Sequence, residues 1–220
     1  IFDALTGNDA SDQALIDSIM TDLDGTKNKT RLGANAILSV SLAAATASAK
    51  YYKLPLYKYL GGTSNYKMPT PMFNVINGGA HANNKLSFQE FMIIPVNNYN
   101  FAECLRKSSE VFHNLRLIID DKGFSTSVGD EGGFAPDLNS ESEALDLISM
   151  AIKKSGYKLV DDFVFALDVA STEFYKKNKY KLITQKNSFT SDEFAIFLKK
   201  MCNKYPIASI EDPMAEDDWV

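Results

Sequence analysis

The chain has 220 residues, of which 45% are hydrophobic and 23% charged, a composition typical of a globular protein with enough apolar material for a core. Its formal net charge of −5 argues against an electrostatic binder of nucleic acid. The two cysteines lack a CxxC spacing and the two histidines exclude a histidine-rich zinc site, so a reducing, cytoplasmic setting is predicted. No signal peptide is recognisable, and the uncharged stretch 32–49 contains too many polar residues for a membrane span.

The first sixty residues predict a pair of helices without a convincing strand. Residues 11–23 form an amphipathic pattern that Asp24-Gly25 terminates. The apolar face of this predicted helix consists of Leu15, Ile16, Ile19, Met20 and Leu23. A longer helix follows and ends before Leu54-Pro55, with apolar residues at steps of three and four.

The small, polar, glycine-bearing segment 60–65 predicts a domain boundary, after which the pattern changes. Strands are predicted at residues 72–77, 88–96, 163–169 and 208–210, with a hairpin arm at 180–183. Helices are predicted from about residue 100, from a Ser140/Glu143 capping box to Gly156, and from a Thr190/Glu193 capping box through Met201. Apolar strands that alternate with amphipathic helices indicate an α/β sheet or barrel.

A glycine-rich loop, residues 128–136, joins two of these predicted helices. Gly129, Gly132 and Gly133 permit positive φ and a close approach of the backbone to a ligand, so the loop could project Glu131 into a cavity. An ordinary acidic surface turn explains the same residues equally well. The interpretation of the loop therefore depends on the other polar residues of the chain.

Two predicted strands end in a carboxylate, at Asp168 and at Glu211. In α/β barrels the C-terminal edge of the sheet is where active sites are built, and neighbouring carboxylates there can hold Mg²⁺. Each carboxylate alone is explained by a cap on the following turn. Together with Glu131 and the Gln89-Glu90 dipeptide, the pair predicts a shared anionic pocket.

The two histidines and the acidic run 216–218 can each be explained without a functional role. His81 follows Asn77-Gly-Gly-Ala and either closes over a ligand or is an ordinary surface residue. His113 lies in a helical pattern beside Phe112 and is interpreted as a packing or hydrogen-bonding residue. The run 216–218 is interpreted as a solvated acidic turn.

Six stretches of the chain together resemble the enolase family, in the order in which that family has them. They are Leu32-Gly-Ala-Asn-Ala-Ile-Leu38, Asn74-Val-Ile-Asn-Gly-Gly-Ala-His81, Gln89-Glu-Phe-Met92, Gly129-Asp-Glu-Gly-Gly133, Ala166-Leu-Asp-Val-Ala170 and Ser209-Ile-Glu-Asp-Pro213. The stretches span essentially the whole chain, and the combination is far more specific than the glycine loop alone.

The resemblance implies an Mg²⁺-dependent dehydration of 2-phosphoglycerate to phosphoenolpyruvate. By position, Asp168 and Glu211 match two of three metal-binding carboxylates, and Glu211 also faces the substrate. Glu131 matches the acid that protonates the leaving hydroxide, and Glu90 matches its partner. His81 and Gln89 match residues that contact substrate, and the resemblance also implies a catalytic role for His81. The family's third metal carboxylate and its base lysine have no match, because Lys204 precedes Glu211 in a helix end.

The resemblance also predicts the architecture: residues 1–62 end a small capping domain, and residues 63–220 form the first half of an α/β barrel of the TIM type, with about half its strands. The chain is therefore expected to be an internal fragment of a cytoplasmic homo-oligomer, a dimer or larger, and to be inactive alone. The alternative is a short, catalytically dead relative retained for protein binding. A superfamily member with another acid substrate fits less well, since it is not expected to keep both Glu131 and His81.

Overall fold

The computed structural model describes residues 1–64, 66–97 and 100–219, which fall into two compact units, residues 1–67 and 68–220. Asn65, the last residue of the predicted boundary segment, lies outside the described residues. The assignment of residues 1–62 and 63–220 to two domains stays a prediction. In the described part of the chain, no helix combines the length and the apolar character needed to cross a bilayer.

The first unit is helical. Its helices are α1 (Phe2–Leu5), α2 (Gln13–Asp24), α3 (Ala34–Tyr51) and α4 (Leu56–Gly61). The Asp12 side chain caps α2 by accepting from the Leu15 N–H, and Gly25 ends α2 in a left-handed conformation at φ 67°. Ile16, Met20 and Ile37 form the core of this unit. The placement of Leu15 on the buried face was wrong, because its side chain is 41% exposed at the edge of the apolar stripe.

The second unit alternates strands and helices. Its strands are β1 (Phe73–Asn77), β2 (Glu90–Pro95), β3 (Phe163–Asp168), β4 (Tyr175–Lys176), β5 (Lys179–Tyr180) and β6 (Ile207–Glu211). Its helices are α5 (Phe101–Asp121), α6 (Glu141–Lys154) and α7 (Ser191–Lys204), with single 3₁₀ turns at Gly79–His81 and Ser171–Phe174. The predicted arm at 180–183 is instead the short β4–β5 hairpin, since pairing ends at Tyr180.

Four of these strands form one sheet in the order β1-β2-β3-β6. The β1–β2 and β2–β3 pairs are antiparallel, whereas β3 and β6 are parallel. The fold class is therefore α/β, as predicted, and the sheet has the character of a partial barrel. Because both of its pairings are antiparallel, β2 runs in the direction opposite to β1, β3 and β6.

The sheet buries one face against helices. The main core joins strand residues such as Phe91 and Phe165 to residues of all three helices, among them Val111, Leu145 and Phe194. Successive side chains of a strand point to opposite faces, so Glu90 and Asp168 lie on the other face. That face carries the polar residues.

Candidate active site

A row of polar residues crosses the sheet at one edge. Asn77 of β1 pairs with Glu90 of β2, Glu90 pairs with Asp168 of β3, and Asp168 pairs with Glu211 of β6. Because residues directly opposite each other share a face of the sheet, the four side chains project to the same side. The reversed direction of β2 brings its first residue, Glu90, to the edge where β3 and β6 end.

Asp168 is the most constrained carboxylate of this row. Its Oδ1 accepts from the Ala170 N–H at 3.1 Å, and its Oδ2 accepts from the Gln89 Nε2 at 3.1 Å. Burial is the largest influence and raises the pKa of the Asp168 carboxyl, although these two hydrogen bonds act in the opposite direction. Glu211, which ends β6, is exposed.

Glu90 is half-buried among other acids. Burial raises the pKa of its carboxyl, and the charges of Asp168 and Glu131 raise it further. His81 acts in the opposite direction, with its Nδ1 3.8 Å from the Glu90 Oε1. The pKa values of Glu90 and Asp168 are thus both raised, in each case chiefly by burial.

Glu131 lies in the glycine loop, which is tied to the end of β1. The Phe134 N–H donates to the Val75 carbonyl at 3.0 Å, and the Asp130 N–H donates to the His81 carbonyl at 3.1 Å. The Glu131 side chain, which the loop was expected to project into a cavity, is exposed. Hydrogen bonds hold the loop against β1 and the turn that follows it, and they leave the Glu131 side chain accessible to solvent.

Two of the loop glycines are required by close contact. A Cβ on Gly133 would lie 2.3 Å from the Asn77 Oδ1, and a Cβ on Gly129 would lie 2.6 Å from the His81 carbonyl oxygen. Gly132 has a φ of 82°, which disfavours any other residue. An open cleft of about 730 Å³ runs beside the loop and is lined by residues that include His81, Gly129 and Asp130.

Buried polar atoms without hydrogen bonds to the described residues lie on β1 and on the turn that follows it. Asn77 Nδ2, His81 Nδ1 and Asn74 Oδ1 form no hydrogen bond with any residue that the structure describes. Leaving such an atom unpaired costs about 1–3 kcal/mol, so these atoms are suited to meet a ligand or water. Sequence reasoning gave no role to Asn74 and Asn77, because only the structure shows that Asn77 pairs with Glu90 and that Asn74 donates to the Asn77 side chain.

Two protein-family models match this chain. One is described as enolase, N-terminal domain, and covers residues 1–60. The other is described as enolase, C-terminal TIM barrel domain, and covers residues 65–220. The chain belongs to the enolase family. The six stretches that suggested this family therefore lie in matched segments, and an enolase-like activity on a small molecule follows in general terms.

Enolases generally depend on Mg²⁺, and the carboxylate row fits such an ion in part. Among residues 1–64, 66–97 and 100–219, no group of three or more histidine, cysteine, aspartate or glutamate side chains is placed to hold a metal. Asp168 and Glu211 nevertheless supply two carboxylates in register on adjacent strands. Mg²⁺ is usually held by one or two carboxylates together with water and substrate oxygens, so the donor set is suitable.

Other polar residues singled out in the sequence lie outside the row formed by Asn77, Glu90, Asp168 and Glu211. His113 is exposed on α5 beside the Phe112 ring. Lys204 ends α7, before β6 begins, and its Nζ lies 4.6 Å from the centre of the Tyr205 ring. The solvated turn predicted at 216–218 was wrong for Asp218, which accepts hydrogen bonds from the Tyr180 and Ser191 hydroxyls.

Proposed function

We propose that this chain carries part of the active site of an enolase that converts 2-phosphoglycerate to phosphoenolpyruvate in glycolysis. The observation that supports this most strongly is the row of Glu90, Asp168 and Glu211 in register at one edge of the sheet. The loops of His81 and Glu131 are joined beside that edge by the hydrogen bond from Asp130 to His81.

In this dehydration the substrate loses a proton from carbon 2 and a hydroxide from carbon 3, and the electron pair forms the new double bond. Hydroxide is a poor leaving group, so it departs after taking a proton, as water. Glu131 is assigned as the acid that gives this proton. Glu90 is assigned as its partner, and burial raises the pKa of the Glu90 carboxyl, with the charges of Asp168 and Glu131 raising it further.

Substrate binding is assigned to the residues that surround the acid pair. Asp168 and Glu211 would hold Mg²⁺, which when bound supplies positive charge beside the substrate carboxylate, where negative charge builds up as the carbon-2 proton leaves. Gln89 fixes the Asp168 carboxylate through its Nε2. His81, Gln89 and Glu211 are assigned to contact the substrate, and the His81 Nδ1, which forms no hydrogen bond with the described residues, is available for that contact.

The base that removes the carbon-2 proton is not assigned to this chain. Lys204 lies at the end of β6 opposite Glu211 and donates to the Tyr205 hydroxyl at 2.6 Å. The proposal is that residues 1–220 do not turn over substrate alone, whereas the protein made from the complete reading frame does. A cytoplasmic homo-oligomer, dimeric or larger, belongs to the same proposal.

The test uses protein expressed from the complete reading frame. Formation of phosphoenolpyruvate is followed by ultraviolet absorbance, and Mg²⁺ binding by calorimetry. Asp168→Asn should lower turnover at least about a hundredfold and weaken Mg²⁺ binding, since it removes one of two charged ligands. Asp146→Asn is the matched control, because Asp146 is exposed on α6 beside Lys204. A folded wild-type protein without dehydration would reject the proposal in favour of the binding-only alternative.

A further inference from the structure

Asn77 touches both the loop of Glu131 and the strand of Glu90. Its side chain is fully buried at the end of β1, directly opposite Glu90 on β2. Its N–H donates to the Phe134 carbonyl at 2.9 Å, and its carbonyl accepts from the Asn84 Nδ2 at 3.0 Å. Asn77 is therefore firmly held where the strand meets the loop.

The backbone of the glycine loop rests on the Asn77 side chain. A Cβ on Gly133 would lie 2.3 Å from the Asn77 Oδ1, and a Cβ on Gly129 would lie 2.9 Å from the Asn77 Cβ. These two glycines flank the turn that carries Glu131. The position of that turn relative to β2 therefore depends on the size and shape of residue 77.

The chemistry of the Asn77 amide indicates more than packing. Its Oδ1 accepts from the Asn74 Nδ2 at 3.3 Å, an approach made possible by the β1 bulge between Asn74 and Ile76. Its Nδ2 finds no partner among the residues described. An apolar residue would fill the same space without a buried unpaired donor, so packing alone does not account for an asparagine here.

We propose that Asn77 is a positioning residue that places Glu131 relative to Glu90 and thereby controls the acid step of the elimination. This inference rests on the proposed function. Glu131 is exposed, so its position comes from the backbone of its loop, and Asn77 supports that backbone from beneath. Removal of the carbon-2 proton does not need Glu131, whereas cleavage of the bond from carbon 3 to oxygen does.

The two steps are measured separately on protein from the complete reading frame. In ²H₂O, exchange of the carbon-2 hydrogen reports proton removal, and phosphoenolpyruvate formation reports elimination. Asn77→Ala should lower elimination at least about tenfold while exchange stays within about threefold, the size expected when a general acid is misplaced. A loss of folded protein would lower both rates in proportion, so the ratio of the two rates separates positioning from stability.

Gly133→Ala tests the same contact from the loop side and remains informative if Asn77→Ala does not fold. Its added Cβ should displace the loop from Asn77 and lower the same ratio. Asn114→Ala is the matched control, since its Nδ2 donates to the Ser155 Oγ at 2.9 Å between α5 and α6. An unchanged ratio in both Asn77→Ala and Gly133→Ala would overturn the inference. A wild-type protein with neither exchange nor elimination would instead reject the proposed function.

Discussion

Two buried polar clusters lie on either side of the segment 87–90, and they differ in how completely they are satisfied. In the first, the Glu141 carboxylate accepts from the Ser87 N–H at 3.1 Å and from the Thr184 hydroxyl at 2.7 Å, and the Ser87 Oγ accepts from the Ile183 N–H. In the second, around Glu90, Asn77 Nδ2 and His81 Nδ1 form no hydrogen bond with the described residues.

This difference separates stability from function. A buried polar group with partners fixes the elements that it joins, and here Glu141 ties the start of α6 to the segments before β2 and after β5. A buried polar group without partners lowers stability, and such groups persist where a ligand completes them. Mutations in the first cluster should therefore affect folding, and mutations in the second should affect chemistry.

The largest expected effect is on turnover, from Glu131→Gln. The amide cannot give the proton that the leaving hydroxide needs, so elimination should fall by about two to four orders of magnitude. The free energy of unfolding should change by less than about 0.5 kcal/mol, because Glu131 is exposed. Glu216→Gln, at another exposed glutamate, is the control. Equal activities of the two variants would contradict the assignment of Glu131.

Glu141→Ala should have the largest effect on stability. It leaves the Ser87 N–H and the Thr184 hydroxyl without their acceptor, so the free energy of unfolding in urea should fall by about 3 kcal/mol. Glu143→Ala on the same helix removes an acceptor of the Asn139 N–H near the surface and should cost less than about 1 kcal/mol. Comparable losses would mean that the buried network contributes no more than a surface cap.

The effect of Tyr180→Phe on the free energy of unfolding should be smaller than that of Glu141→Ala and should depend on pH. The buried Tyr180 hydroxyl bonds Asp218 and the Ala215 N–H, so its loss should cost about 1–2 kcal/mol at pH 7. Burial first, and then Asp218, raises the pKa of Tyr180 to about 12. Its stabilisation is fully present below the ordinary pKa near 10 and is lost as the pH rises through about 12.

The check on Tyr180 is the difference in unfolding free energy between wild type and Tyr180→Phe at several pH values. This difference should shrink between about pH 10 and pH 12, because only the wild type can ionise at this position. Tyr175→Phe changes the neighbouring tyrosine of the same hairpin and controls for general alkaline effects. A difference that is constant or grows over this range would show that burial of the hydroxyl does not disfavour its ionised form.

The last comparison is between two buried serines, of which only one has a hydrogen-bond partner among the described residues, and it contains the smallest expected effect. Ser87→Ala removes the acceptor of the Ile183 N–H and should cost about 1–2 kcal/mol. Ser108 is equally buried on α5, and its Oγ is without a partner in the part of the chain that the structure covers. Ser108→Ala should therefore change the free energy of unfolding by less than about 0.5 kcal/mol. Equal costs for the two variants would show that hydrogen-bond partners do not decide what a buried hydroxyl contributes to stability.

Much of the fold could be predicted from local patterns. The apolar runs and the Thr190/Glu193 capping box gave the main strands and the start of α7, since the structure has this capping box in full. At α6 the box is only half formed, because the Glu143 side chain bonds the Asn139 N–H instead of the Ser140 backbone. The short helices α1 and α4 carry too few residues for a periodic signal and were missed.

The candidate site was less accessible to the sequence. Asp168 and Glu211 could be placed at strand ends because they directly follow apolar runs. The direction of β2 has no local signature, so the position of Glu90 at the same edge required the fold. The exposure of Glu131 and the pairing of Asp218 with Tyr180 depend on contacts between segments distant in the chain, which residue patterns do not show.

The reversed β2 also sets an order of assembly. A short connection joins Asn77 to Glu90, whereas α5 and α6 separate the end of β2 at Pro95 from the start of β3 at Phe163. Contacts that close short loops form early in folding, and non-local strand pairs form late. We therefore expect the pairing of Asn77 with Glu90 to form early during synthesis, Glu131 to join it after α5 has emerged from the ribosome, Asp168 after α6, and Glu211 only after α7.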